Sequence, residues 1–475
     1  MEDRFGLPMT TSSTSAAALC AEGLDLLLEN NYGPAESFQK AIEADEGFSL
    51  AHALLAYTYI QAAKPKEARQ SSQRALELSG GISKREQQQA QAIDWWANGK
   101  GPEAIPLIHE HLAEFPRDIN MLRVAQRLYS LGCFGSGVPD FPNHLFKMTR
   151  SIESQNSGEW SYLAACAFAH HEVGLVEEAL NLAERSLAAR PTNAVAAHSV
   201  AHAHFEMGNN LVGSEFMADW LPTFDKRAQY YVHLSWHHAL FELATGHYQK
   251  AYDLYEAEIR PSVVAKNTLA LNDSASLMWR WQMYAGVTPP FSWEEVCSIA
   301  SGATNSPGPA FRDAHAALAL AGTEDEQGID RFLERLTEAA KNGDPLIAEV
   351  SLPLAKGIIA FAQGDYPEAV SQLEPVFPQL ARIGGSHAQR EVFEDTMLEA
   401  YLKAEEFEKA EDMLRTRLNK RESIRDTYRM VQVQNGTGRL DEARSGLAAV
   451  TQGWKGADRG SAESASLTSL IEEVG

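Results

Sequence analysis

The stretch whose reading decides the fold is WSYLAACAFAHHEVGLVEEALNLAERSLAARPTN, Trp160 to Asn193. With Trp160 as position 1, Ala167 falls at position 8, Gly174 at 15, Ala179 at 20, Ser186 at 27 and Pro191 at 32. Apolar residues recur at helical spacing on both sides of Gly174. The segment therefore reads as two helices broken at the glycine, with small residues where the pair must approach closely and a proline where the second helix must stop. Such a hairpin leaves one apolar face uncovered, and a second hairpin stacked on it closes that face.

The length of 34 residues is that of a tetratricopeptide repeat, and the signature returns along the chain. YGPAESFQKAIEAD, AKPKEARQSSQRALEL, GKGPEAIPLIHEHLAEFP, GHYQKAYDLYEAEI, GDYPEAVSQLEPVFP, EEFEKAEDMLRTRL and GRLDEARSGLAAV align their alanines at Ala35, Ala68, Ala104, Ala251, Ala369, Ala410 and Ala443, with Ala179 between the third and fourth. Most spacings are near one or two repeat periods. The widest, from Ala251 to Ala369, contains GVTPPFSWEEV and SGATNSPGPAFRDAH, whose Pro, Gly, Ser and Asn mark loops. No segment sustains the two-residue alternation of a strand.

The expected fold is all-α, a TPR-like α-solenoid of roughly 20 to 28 helices arranged as hairpins. It is expected to curl into a closed superhelix around a central pocket. Residues 1–128 read as N-terminal hairpins, 129–264 as central repeats with a histidine-rich inner face, 265–345 as divergent helices and loops, and 346–475 as C-terminal repeats.

Composition narrows the function classes. The 475 residues are 44% hydrophobic, as in ordinary globular proteins, so disorder is not expected. A formal charge of −23 spread along the chain repels phosphate backbones and argues against nucleic acid as a partner. Cys20, Cys133, Cys166 and Cys297 lie far apart without CxxC spacing, which fits a reducing cytoplasm better than a disulfide framework. The N-terminus lacks the basic and apolar regions of a signal peptide, and no run of about 18 apolar residues offers a membrane span. Hence a soluble cytoplasmic protein is expected.

In the repeat pattern, positions 2, 5, 9, 12 and 13 of each first helix face the groove. The repeat that begins at Ala194 then presents His198, His202, Phe205 and Glu206 inward, while His204 points elsewhere. Helix geometry supports the grouping, since residues four apart lie about 6 Å up the axis and about 40° round it. With Ala251 at position 20, the next repeat presents His233 and Trp236, with His237 one turn beyond His233. The preceding repeat adds His171 and Glu172.

These runs resemble the tetratricopeptide repeat protein 38 family. AVAAHSVAHAHFEMGNNLVG, ADWLP and HLSWHHALFELATGHYQKAYDLYEAEI carry the likeness, with LNDSASLMWRWQMYAG through Asp273, Trp279 and Arg280, PAFRDAHAALALAG through Asp313 and His315, and GGSHAQREVFEDTMLEAYL through His387, Gln389 and Arg390. The matches run in order from about Tyr129 to Leu402. Departures are His204 in place of an apolar residue, GNN in place of Gly-Arg, and Glu256 in place of an aspartate. Polar motifs on five separated segments imply convergence on an enclosed space that suits a small molecule.

The expected catalytic set is His198, His202, Glu206, His233, His237, Asp313, His315 and His387, because imidazole–carboxylate pairs suit proton transfer near neutral pH. Arg280 or Arg390 would clamp a substrate carboxylate, Trp220, Trp236 and Trp279 would wall it, and Asp273 and Gln389 would join them in binding the substrate. A hydrolase or lyase acting on a small polar or anionic compound uses these parts. The alternative is a non-catalytic scaffold that holds a peptide or protein on its concave face. Clustered groove Lys and Arg would favour it, whereas histidine and tryptophan are expected here. No cofactor is expected; the variant is a divalent ion shared by the His198/His202 and His233/His237 pairs, without an HExxH motif. An oligomer is compatible with the sequence.

Overall fold

The computed structural model describes residues 1–323, 325–458 and 461–474. Among them are twenty-nine α-helices, and the extended pairing is an isolated bridge between Glu2 and Pro8. Antiparallel hairpins of the tetratricopeptide type follow one another along the chain, so the fold is the all-α, TPR-like solenoid class. The count exceeds the expected range because short helices such as Gly132–Ser136, Glu153–Asn156 and Arg260–Val264 fill the connections.

The eight aligned alanines explain the hairpin packing. Ala68, Ala104, Ala179, Ala251, Ala369, Ala410 and Ala443 are all buried. Ala35 is only half-buried, and the equivalent site in the first hairpin is the buried Ser37, three residues after Pro34 as Ala68 is after Pro65. The alignment at Ala35 was therefore two residues early. Gly174 makes its turn at φ +84°, a conformation that side chains with a Cβ disfavour.

The chain divides into two compact units. The first comprises Met1–Ala203 and Pro222–Tyr231. Its hairpins pair Thr14–Leu28 with Pro34–Ala44, Ser49–Gln61 with Pro65–Glu77, Lys84–Ala97 with Gly101–Glu114, and Trp160–Glu172 with Val176–Ala189. Buried Glu29 accepts from Arg190 Nε and Thr192 Oγ1, both at 2.7 Å, joining residues about 160 apart in sequence.

The second unit comprises His204–Leu221 and Val232–Gly475. Its core runs through the helices Leu271–Ala285, Ala310–Thr323, Leu352–Ala362 and His387–Lys403. Sequence-distant helices also meet within it. Trp279 Nε1 donates to Thr396 Oγ1 at 2.9 Å, and Arg425 Nη2 donates to the Leu243 carbonyl at 2.7 Å. No helix among the described residues is long and apolar enough to cross a membrane.

Candidate functional site

Three helices of the second unit, together with residues 232–244 of a fourth, bring separated motif residues together. His233 Nδ1 lies 2.9 Å from Asp273 Oδ1, an imidazole–carboxylate pair drawn from two helices. His233 stacks on Trp236 at 5.3 Å between ring centroids, and His237 meets the same indole edge-on at 4.7 Å. Arg280 places its guanidinium carbon 5.8 Å from the Trp236 ring and donates through Nη2 to the Ala388 carbonyl at 2.7 Å. Trp236 is 1% exposed, and its indole N–H has no acceptor among the described residues. Leaving a buried donor unmet costs about 1–3 kcal/mol.

His315 is enclosed by Phe311 and Phe393, with ring centroids at 4.4 and 5.2 Å. Burial pushes its pKa down to about 4, against the opposing pull of the Phe311 carbonyl and of Asp273, so the ring is neutral. Nδ1 donates to the Phe311 carbonyl at 2.8 Å, which fixes the tautomer and leaves Nε2 as an acceptor.

Other motif residues do structural work. Trp279 sits in the core beside Trp293 and Phe361, so it walls no open space. Gln389 completes a capping box with Ser386 at the start of its helix. Asp313 is buried against Arg312, with Nη2 at 2.8 Å, and accepts from the Gly308 N–H. Arg390 donates to the Gly384 and Gly385 carbonyls. Trp220 is half-buried at the end of Asn210–Trp220.

His387 pairs with Glu206 through Nδ1 at 2.8 Å. Burial opposes its charge, but Glu206, Glu394 and Glu391 prevail and push its pKa up to about 9. It is an imidazolium at neutral pH and cannot act there as a base.

In the first unit, His198 and His202 face each other Nε2 to Nε2 at 2.9 Å. The Tyr230 hydroxyl lies 2.9 Å from His198 Nδ1. His171 stacks on His202 at 4.5 Å, and Glu172 lies 3.5 Å from His171. His204, in the second unit, is half-buried.

Two features escaped the sequence reading. Arg417, Arg421, Arg425 and Arg429 recur every fourth residue across the turn between Phe407–Lys420 and Ile424–Gly436. Arg417 binds Asp426 through Nε and Asp395 through Nη2, each at 2.9 Å, and Arg421 binds Glu391. Arg417, Arg421 and Arg425, with Arg280 and Tyr284, line a cavity of about 50 Å³, room for one or two waters.

The second feature is an open groove of about 430 Å³ on the first unit. Arg69, Trp96, Leu131 and Phe134 line it, and Phe134 is 46% exposed. Gly101 and Gly135 also line it and approach each other closely, since a Cβ on Gly101 would meet the Gly135 carbonyl at 2.5 Å. The glycine-flanked aromatic in LGCFGSG was the available signal.

No family model matches the sequence. Among solved structures, the chain is similar to a tetratricopeptide repeat protein from Parabacteroides merdae, at 14% identity over 65% of this chain and 98% of that one, TM-score 0.33. It is also similar to human IFIT1 in a dimer with m7Gppp-AAAA, at 13% identity over 95% and 97%, TM-score 0.38. A third likeness is to yeast Tom70, at 13% identity over 97% and 95%, TM-score 0.31. At these values no ligand or partner transfers to this chain.

Proposed function

We propose that the chain is a non-catalytic helical-repeat scaffold that docks a segment of a protein partner. The observation that carries this reading is where open volume lies. The arginine cluster of the second unit encloses a cavity of about 50 Å³, whereas the first unit offers a groove of about 430 Å³ beside an exposed phenylalanine. A partner residue with an aliphatic or aromatic side chain would stack on Trp96 and Phe134, and an acidic neighbour would meet Arg69. The peptide would then lie beside residues 96–101 and 131–135. The ordered run of motifs between Tyr129 and Leu402 supports grouping the chain with the tetratricopeptide repeat protein 38 family.

Selection from a displayed random-peptide library tests the reading. Peptides enriched on the wild-type chain should share an apolar anchor next to an acid and should lose binding to Phe134→Asp. Peptides that bind Phe134→Asp equally well would remove the groove from the account.

A second reading, a small acceptor-bearing ligand or acid–base substrate inside the second unit, is favoured by the unmet Trp236 N–H beside the His233–Asp273 pair and neutral His315. Side chains must move to admit it. The check is stabilisation by a panel of small carboxylic acids, abolished by His233→Asn. A divalent ion on His198 and His202 is a variant supported by their facing Nε2 atoms, and elemental analysis of the purified chain decides it.

A further inference from the structure

Residues 1–12 precede the first helix and fold against the first unit as a compact loop. Asp3 Oδ1 accepts the Phe5 and Leu7 N–H groups at 2.9 and 3.0 Å, closing a turn in which Gly6 takes φ +71°. The other oxygen, Oδ2, receives Arg85 Nη2 at 2.6 Å, while Arg85 Nη1 donates to the Pro8 carbonyl at 3.1 Å. Phe5 and Met9 are buried. Thr10 N–H donates to Glu86 at 2.8 Å, and Arg4 reaches Glu159 at 2.8 Å and lies over the Trp160 ring. These partners stand at the starts of the helices Lys84–Ala97 and Trp160–Glu172, so two repeats separated in sequence build one seat.

We propose that this seat recognises a short looped peptide of the pattern Asp-x-Phe-Gly-apolar, now filled by the chain's own N-terminal segment, and that a partner carrying the same pattern replaces it. The inference rests on the reading that the first unit binds polypeptide segments, at a place separate from the Trp96–Phe134 groove.

Two observations make the segment replaceable. Arg85 holds two carboxylates, and Asp118 is the better supported of them. Asp118 receives Arg85 Nε and Gln89 Nε2, each at 2.6 Å, and His111 lies 3.1 Å away. Burial would raise its pKa, yet Arg85 and His111 hold it far below the usual carboxylate range, whereas burial dominates at Asp3 and pushes its pKa up. Departure of Asp3 therefore leaves Arg85 paired and its Nη2 available to another acid. The first helix is also capped independently, by Ser13 accepting the Ala16 N–H. That capping bond lies outside residues 1–12, and the segment meets the cap through the Ser13 N–H, which donates to Thr11 Oγ1 at 3.1 Å.

The test uses the full chain with a protease site inserted after Ser12, cut once folded, and a chain lacking residues 2–12. The probe is the fluorescent peptide EDRFGLPMTT, followed by anisotropy. Expected results are retention of the severed segment through gel filtration or saturable peptide uptake, weakened about tenfold or more by Asp3→Asn or Phe5→Ala in the segment. Phe134→Asp in the receptor should leave this binding unchanged, which separates the seat from the groove. A severed segment that elutes free, with no saturable uptake at about 1 mM peptide by either form, overturns the proposal. So does binding indifferent to both substitutions.

Discussion

Replacing Glu206 by glutamine should return His387 to the ordinary histidine range. The His387 ring is 29% exposed and the Glu206 side chain 15%, so the pair lies partly in reach of solvent. A folded-state pKa near 9 against 6.5 corresponds to about 3 kcal/mol at 1.4 kcal/mol per unit. Solvent screening at this exposure reduces the effect to about 1–2 kcal/mol. The folded state binds this proton more tightly than the unfolded chain does. The stabilisation is therefore complete below pH 6.5 and is lost as pH rises through about 9. Histidine Cε1 resonances in a selectively labelled chain, with His387 assigned from His387→Gln, give the pKa directly. Urea unfolding at about pH 6 and about pH 9.5 gives the energy, and the wild type should lose about 1–2 kcal/mol more than Glu206→Gln between them. A wild-type His387 that titrates near 6.5, or one that stays near 9 in Glu206→Gln, would refute the reasoning.

Further expectations follow from packing. Trp236→Phe removes the unmet N–H but also ring volume, two effects of about 1–3 kcal/mol that oppose each other, so its melting temperature should stay within a few degrees of wild type. A loss above about 3 kcal/mol would mean that the indole N–H is already satisfied. Gly101→Ala should destabilise by about 1–3 kcal/mol because its Cβ meets the Gly135 backbone at 2.5 Å, whereas Gly80→Ala, with nothing within 4 Å, should not; calorimetry compares them. Phe134→Asp should leave the melting temperature nearly unchanged, since the ring is 46% exposed.

The helical repeat was legible because it rests on spacing. Small residues at Ala68, Ala179 and Ala443 sit where helices touch, and a sequence displays spacing directly. The first hairpin showed the limit of this reading, since Ser37 replaces the alanine and drew the register to Ala35. Site residues were legible as inward positions, but an inward position does not specify a job. Gln389 looked like a ligand residue and caps a helix; Trp279 looked like a pocket wall and fills the core. Their partners, Ser386 in one case and Thr396, Trp293 and Phe361 in the other, include groups more than eighty residues away that composition cannot pair. The arginines from Arg417 to Arg429 were plain in sequence. The neutralisation of Arg417, Arg421 and Arg429 by Glu391, Asp395 and Asp426 was not.

The measurement closest to the central claim is hydrogen–deuterium exchange of the chain with and without a library-selected peptide. The account predicts slowed exchange in segments 95–101 and 131–137, which border the Trp96–Phe134 groove. Slowing confined to segments 232–240 and 271–280, around Trp236 and Asp273, would contradict it and place recognition inside the second unit.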